Sequence, residues 1–439
     1  MALASSLRLL GFTETEVARR LALFAVTRSA AIETAAWYHV PGRIEVLGKH
    51  TDYAGGRSLV CATEQGMAVE TAPRADCIVR IIDAVAREVR EFPVDPGLAP
   101  RRGDWANYPM TVVSRLAQDF GAAVGGFDLA FASDIPIAAG VSSSSALVVA
   151  VGRAVIDLWH LDRTDAYRAQ ILSLEDVAGY LGAVENGRPF RGFGATGGVG
   201  TLGGSQDHTA ILCSASDALT QVRFDPVVIE TRAPWPGDFR FVIGSSGVVA
   251  EKAGRALEHY NGLARMTERL RSLVVGPDSR VTLGRAIIDQ ETAGVSLGAD
   301  VDPADAPRLI RRLTQLTAEC RVLIPGVVDA LGKRDFDRLG DLVAASQHGA
   351  EIGLENQISE TIALVETACR FGAVAASAFG AGFGGSVWAM VPVERVEPFT
   401  EQWGGEYRRR FPERSLARFL VTRPAPAAGR LAGEGAGSN

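Results

Sequence analysis

Apolar and polar positions along this chain follow two periods, and the balance between them shifts midway. Residues 14–26 carry apolar positions at helical spacing, with Thr13 placed as an N-cap. Residues 37–47 read as a strand running into a glycine-containing loop, and 58–82 hold further strand-like runs. A helix is predicted over 105–120, a strand over 127–131 and a long apolar helix over 144–158. The short stretch 206–214 fits either a helix or a strand, and strands dominate 219–244. Beyond that point the period is mostly helical, over 251–273, 305–331, 336–347 and 360–371. A glycine-rich loop at 380–385 precedes a strand-like run over 386–393. The Pro/Gly/Ala-rich tail 424–439 reads as disordered. The pattern contains no internal repeat, and its shift predicts two domains, 1–230 and 231–423, followed by the tail.

Length agrees with that division, since 439 residues exceed one ordinary core. Apolar residues make up 47%, enough for a large interior. A formal net charge of -6 argues against a nucleic-acid surface as the main partner. No apolar run reaches the roughly 20 residues needed to span a bilayer, and the first residues lack the features of a signal peptide. The five cysteines are scattered, with no C-x-x-C pair, so reduced thiols in a cytoplasmic protein are expected. Only three lysines occur, Lys49, Lys252 and Lys333. The chain otherwise uses arginine for positive charge, which singles out Lys49.

Three loops invite comparison with phosphate-binding motifs. Residues 42–50 fail as a P-loop: Gly42 and Gly48 stand one residue too far apart, and His50 occupies the place of the magnesium-binding Ser or Thr. Gly380, Gly382 and Gly385 match G-x-G-x-x-G, but a strand-like run follows where a dinucleotide fold needs a helix. The segment PIAAGVSSSSA at 136–146 is stronger, because small residues lead straight into a helix. Unpaired N–H groups and the helix dipole favour an anion there, and the serines add donors. An ordinary serine N-cap explains the same residues equally well.

Three motifs together decide more than each alone. PGRIEVLGKHTDYAGG at 41–56 closely resembles the galactokinase signature. The serine loop resembles the second signature of the superfamily of galacto-, homoserine, mevalonate and phosphomevalonate (GHMP) kinases, and FGAGFGG at 379–385 resembles the third. They stand in the family's order over residues 36–393, with WANY at 105–108 between them also galactokinase-like. The resemblance implies an α+β, two-domain fold with its active site in the cleft between domains. It implies an ATP-dependent sugar 1-kinase using Mg2+, with galactose the leading substrate.

Site residues follow from the same resemblance. Asp207, in GGSQDH at 203–208, matches the catalytic base, and Arg43 matches the arginine facing it. Lys49, His50, Asp52 and Tyr260 fall in sugar-binding places. Gly140, Ser142, Ser143, Ser144, Ser145, Gly382 and Gly384 fall in the ATP loops, with Trp105 beside the adenine. Ser144 and Glu185 are the magnesium ligands. For His208 the residues favour a structural role, since neighbours on a regular element face apart, and no G-x-S-x-G supports a hydrolase.

Two departures matter. The family usually carries Asn where Glu45 stands and Glu where Lys49 stands. Lys49 is expected to reach the sugar at the end remote from the phosphate, which brings in an acidic sugar such as galacturonate, or a pentose such as arabinose, as alternatives. An ion pair between Glu45 and Lys49 is the structural alternative; it needs a bend, because four strand residues span about 13 Å. Secondly, 186–204 is an insertion between Glu185 and Asp207, expected to form a flap from which Arg188 and Arg191 reach anionic groups. A catalytically silent sugar- and ATP-binding regulator is the competing class. Arg43 and Asp207 together favour the enzyme, and the sequence leaves the oligomeric state open.

Overall fold

The structure is a computed structural model and describes residues 2–99, 103–136, 140–248, 254–289 and 301–432. Twelve strands form two sheets. The first contains β1 (Ala36–Leu47), β2 (Arg57–Pro73), β3 (Ile78–Asp83), β4 (Glu88–Pro93), β5 (Phe127–Ser133), β6 (Ala218–Arg223), β7 (Val228–Pro234) and β12 (Gly429–Leu431). Its main path runs β12-β1-β2-β5-β3-β4, and β6 joins β2 farther along and carries β7. All pairs are antiparallel except β3 with β5. The second sheet, β11-β8-β10-β9, is antiparallel throughout and holds β8 (Phe239–Ser245), β9 (Ala375–Phe379), β10 (Ser386–Pro392) and β11 (Arg418–Thr422).

The expected boundary at residue 230 lies within β7; the change of sheet comes between Pro234 and Phe239. The expected disordered tail is corrected more strongly. Ala425 bridges Ala62, β12 pairs with β1, and Leu431 is buried against the N-terminal helices. Backbone hydrogen bonds and one apolar anchor order this segment despite its composition. Residues 433–439 lie outside the described residues.

The N-terminal helix Glu14–Thr27 starts with a capping box, in which Thr13 and Glu16 each bond the other's backbone. The serine-rich helix Ser143–Leu158 is buried along almost its whole length. It packs against β1, β2 and the helices Asn107–Phe120, Leu174–Asn186 and Gln206–Cys213. Such an all-round apolar helix can only be a central one, so its first turn is fixed in the interior.

The two sheets share a core. Phe241, Ile243 and Trp388 of the second sheet belong to the same apolar cluster as Ile44, Leu47 and Leu59 of the first. Trp388 is 1% exposed and its Nε1–H donates to the carbonyl of Val46 at 3.2 Å. The outer face of the second sheet is covered by helices Ser359–Arg370 and Val396–Arg410 through Leu364, Phe399 and Trp403. Among the described residues, no helix is long and apolar enough to cross a membrane.

Candidate active site

A cavity opens where β1, the starts of two helices and the loop after β9 converge. On a strand, residues two apart share a face, and Arg43 and Glu45 of β1 both line the cavity. Arg43 forks onto Asp207: Nε donates to Oδ1 at 2.6 Å and Nη2 to Oδ2 at 3.0 Å. Its Nη1 donates to the carbonyl of Gly140 at 2.6 Å. Burial alone would lower the basicity of this guanidinium, but the Asp207 carboxylate outweighs it and the pKa is raised.

Asp207 sits in the first turn of Gln206–Cys213. The hydroxyl of Ser142 donates to its Oδ2, as does that of Ser145 at 3.4 Å. The serine loop thus reaches the carboxylate directly, helped by Ser142 in a left-handed conformation with φ +59°. The glycine loop closes the other side. A Cβ on Gly380 would lie 3.9 Å from the Arg43 guanidinium. A Cβ on Gly382 would meet the backbone oxygen of Asn356 at 2.5 Å, so only glycine permits this path.

The opposite wall is polar and aromatic. His50 is buried, and its Nε2 faces the carbonyl of Ala381 at 3.0 Å. A carbonyl only accepts, so Nε2 carries the proton and Nδ1 accepts from the Tyr53 hydroxyl at 2.8 Å. Burial, assisted by the charge of Arg312, pushes its pKa down to about 3, so the imidazole is neutral. Tyr260 lies over it, with ring centroids 5.2 Å apart. Asp52 accepts from the N–H groups of Gly204 and Gln206 at 3.1 and 3.3 Å, and burial raises its pKa. Glu185, from the end of Leu174–Asn186, lines the cavity with its Oε2 2.9 Å from His208 Nε2.

Most sequence candidates therefore meet here: Arg43, His50, Asp52, Ser145, Glu185, Asp207, Tyr260 and Gly382 all line the cavity. Gly140 and Ser142 touch it through Arg43 and Asp207. Ser143 and Ser144, in the first turn of Ser143–Leu158, and Gly384, in the glycine loop, are not among its walls. Trp105 is not a wall either; its Nε1–H donates to Glu88 at 2.9 Å and its ring lies between Arg90 and Phe131.

Lys49 does not face the wall that His50, Asp52 and Tyr260 form. It is 1% exposed, and its Nζ donates to Ser377 Oγ of β9 at 2.8 Å, inside the junction of the two sheets. The β1–β2 pairing slips between Glu45 and Leu47, and Gly48 adopts φ +102°. The chain turns there, so Lys49 leaves the face that Arg43 and Glu45 share. Glu45 takes the cavity position instead, with Oε2 accepting from Gln206 Nε2 at 2.6 Å.

His208 differs from expectation too. It lines the cavity beside Asp207, so the two neighbours do not face apart, and its Nε2 lies 2.9 Å from Glu185 Oε2. The insertion is also fastened rather than free. Asn186 Nδ2 donates to the Gly204 carbonyl at 3.0 Å and its Oδ1 accepts from Thr201 and Gly203. Phe190 and Phe193 pack on Tyr180, Arg191 pairs with Asp176, and Arg188 Nη2 donates to the Leu202 carbonyl at 3.0 Å. Of its residues, Asn186 at one end and Thr201, Gly203 and Gly204 at the other line the cavity.

Comparison with known families places these features together. Residues 27–73 match the galactokinase galactose-binding signature, 107–186 the GHMP kinases N terminal domain and 327–408 the GHMP kinases C terminal domain. These matches make the chain similar to the galactokinase branch of the GHMP kinases. Its relatives include the galactokinases of Actinobacillus pleuropneumoniae serotype 3 (28% identical, 81% of this chain and 85% of the relative) and Chloroflexus aggregans (29%, 82% and 84%). Among solved structures, Lactococcus lactis galactokinase complexed with galactose is similar with a TM-score of 0.74, at 23% identity, covering 92% of this chain and 99% of that one. The L. major mevalonate kinase in complex with R-mevalonate follows the fold more loosely, with a TM-score of 0.53 at 16% identity over 89% and 96%. The α+β, two-domain GHMP architecture is thus shared across substrates, while the matched signature around Arg43 is particular to the galactokinase branch.

Proposed function

We infer that the chain is an ATP-dependent galactokinase, moving the γ-phosphoryl group of ATP to the anomeric hydroxyl of galactose or a closely related sugar. The observation that carries this reading is the Arg43–Asp207 fork, held between the serine loop and the glycine loop at the cavity floor. Asp207 acts as general base, taking the hydroxyl proton as oxygen bonds to phosphorus and ADP leaves. Arg43 holds both carboxylate oxygens of Asp207 and stabilises charge on the transferring group. Neutral His50, Asp52 and Tyr260 form the sugar wall, as an acceptor-and-aromatic surface suits hydroxyls and C–H faces. The first turn of Ser143–Leu158, with Gly140, Ser142 to Ser145, Gly382 and Gly384, receives the phosphates.

Magnesium enters this reading with ATP. It needs oxygen ligands and keeps several waters, so phosphates and one or two protein groups suffice. Glu185 supplies a carboxylate on the cavity wall and the serine turn supplies hydroxyls, a donor set that fits. Among the described residues no cluster of three or more His, Cys, Asp and Glu side chains forms a separate metal site. Bound there, the ion would neutralise phosphate charge. The test is ADP release on a panel of galactose, arabinose, galacturonate and glucose with and without Mg2+. Galactose- and Mg2+-dependent release is expected; ATP binding with no release on any sugar supports the silent regulator instead.

A further inference from the structure

The cavity wall holds a carboxylate that the reaction above does not use. Glu45 is 4% exposed, lines the cavity and stands two residues from Arg43 on the same strand face. Its Oε2 is satisfied by Gln206, but its Oε1 has no hydrogen-bond partner among the described residues. A buried, unmatched carboxylate oxygen is costly unless something donates to it. A donor in the cavity, water in the empty site or a hydroxyl of a bound ligand, would complete it.

Resting on the galactokinase reading, we propose that Glu45 is a specificity-determining residue whose Oε1 accepts a hydrogen bond from a non-anomeric hydroxyl of the sugar, with buried Lys49 as its counter-charge behind the wall. Lys49 is placed for this. Its ammonium attracts both Glu45 and Glu319 while its Nζ is tied to Ser377, which in turn donates to Gln347. Arg43, the other nearby cation, is spent on Asp207 and the Gly140 carbonyl. The cavity therefore offers a sugar more acceptors than free cations: Glu45, Asp52, Glu185 and Asp207 all line it, and His50 is neutral. Such a surface receives neutral, hydroxyl-bearing sugars and repels a carboxylate. The inversion of charge at position 49 thus selects against an acidic sugar, the opposite of what its place in the motif suggests.

Galactose, its 2-, 3-, 4- and 6-deoxy analogues and galacturonate are compared as substrates of the native enzyme and of Glu45→Gln, together with their binding by calorimetry. In the native enzyme one deoxy analogue should lose about 10- to 100-fold in kcat/KM, the size of a hydrogen bond to a charged group. That penalty should shrink about tenfold in Glu45→Gln, with KM for ATP unchanged. Identical deoxy penalties in both proteins would overturn the assignment. So would native turnover of galacturonate within about threefold of galactose, an outcome that needs no variant. If the native protein binds sugars without turning them over, the kinase reading fails while the binding ratios still decide Glu45.

Discussion

Replacing Asp207 by Asn removes one proton-accepting group and little else. The carboxylate receives the Arg43 fork at 2.6 and 3.0 Å and the hydroxyls of Ser142 and Ser145. Asn fills the same volume and keeps one accepting oxygen, so the helix start and the serine loop stay in place. One arm of the fork is lost, and a hydrogen bond to a charged group is worth about 1.5–3 kcal/mol. Asp207 is 21% exposed at its side chain, so screening brings the stability loss to the lower end of that range. The kinetic loss is larger: a missing general base costs about 10²–10⁴ in turnover, or about 3–5 kcal/mol of barrier. ADP release at saturating galactose measures kcat, and calorimetric titration with ATP measures binding. Turnover should fall by at least 10² with ATP affinity within about threefold of native. A variant turning over within threefold of native would mean that Asp207 only positions Arg43, and the base would have to be sought elsewhere.

Other substitutions probe separate parts of the account. Arg43→Lys keeps the charge but not the planar fork, so kcat should drop about tenfold or more while KM for galactose changes little; an unchanged kcat would make Arg43 structural. Lys49→Met leaves Glu45 and Glu319 without their buried counter-charge, and urea unfolding should show a loss of about 3–5 kcal/mol; an unchanged midpoint would refute the buried network. Burial raises the Glu45 pKa to about 7, above its unfolded value of 4.5. Between pH 4.5 and about 7 the sugar-free native state therefore holds a proton that the unfolded chain releases; this contribution is full below pH 4.5 and lost as pH rises through 7, above which Glu45 is the charged acceptor. The Tm difference between native and Glu45→Gln proteins should shift against the native protein from pH 5 to 8; a constant difference would contradict that protonation.

The elements were legible where the period was strong. The buried helix Ser143–Leu158 and the strand Ala36–Leu47 agree with their hydrophobic patterns to within a residue. The three-residue β12 was not, because so short a run carries no period and owes its place to pairing with β1. Arg43, His50, Asp52 and Asp207 could be found because they stand inside glycine-punctuated motifs whose backbone paths are tightly limited. The direction of Lys49 is not legible in the same way. A motif gives the order of side chains, but the slip in pairing after Glu45 and the turn at Gly48 decide which way each one points. The Glu185–His208 contact joins two helices across the insertion, so no local spacing announces it.

The most direct measurement follows the phosphorus atoms. Purified protein is incubated with ATP, Mg2+ and galactose, and the mixture is observed by 31P nuclear magnetic resonance. The γ-phosphate signal should be replaced by ADP signals and by an equal amount of a phosphomonoester coupled to the anomeric proton of the sugar. ATP that stays intact in the presence of galactose, or that yields only inorganic phosphate, would contradict it.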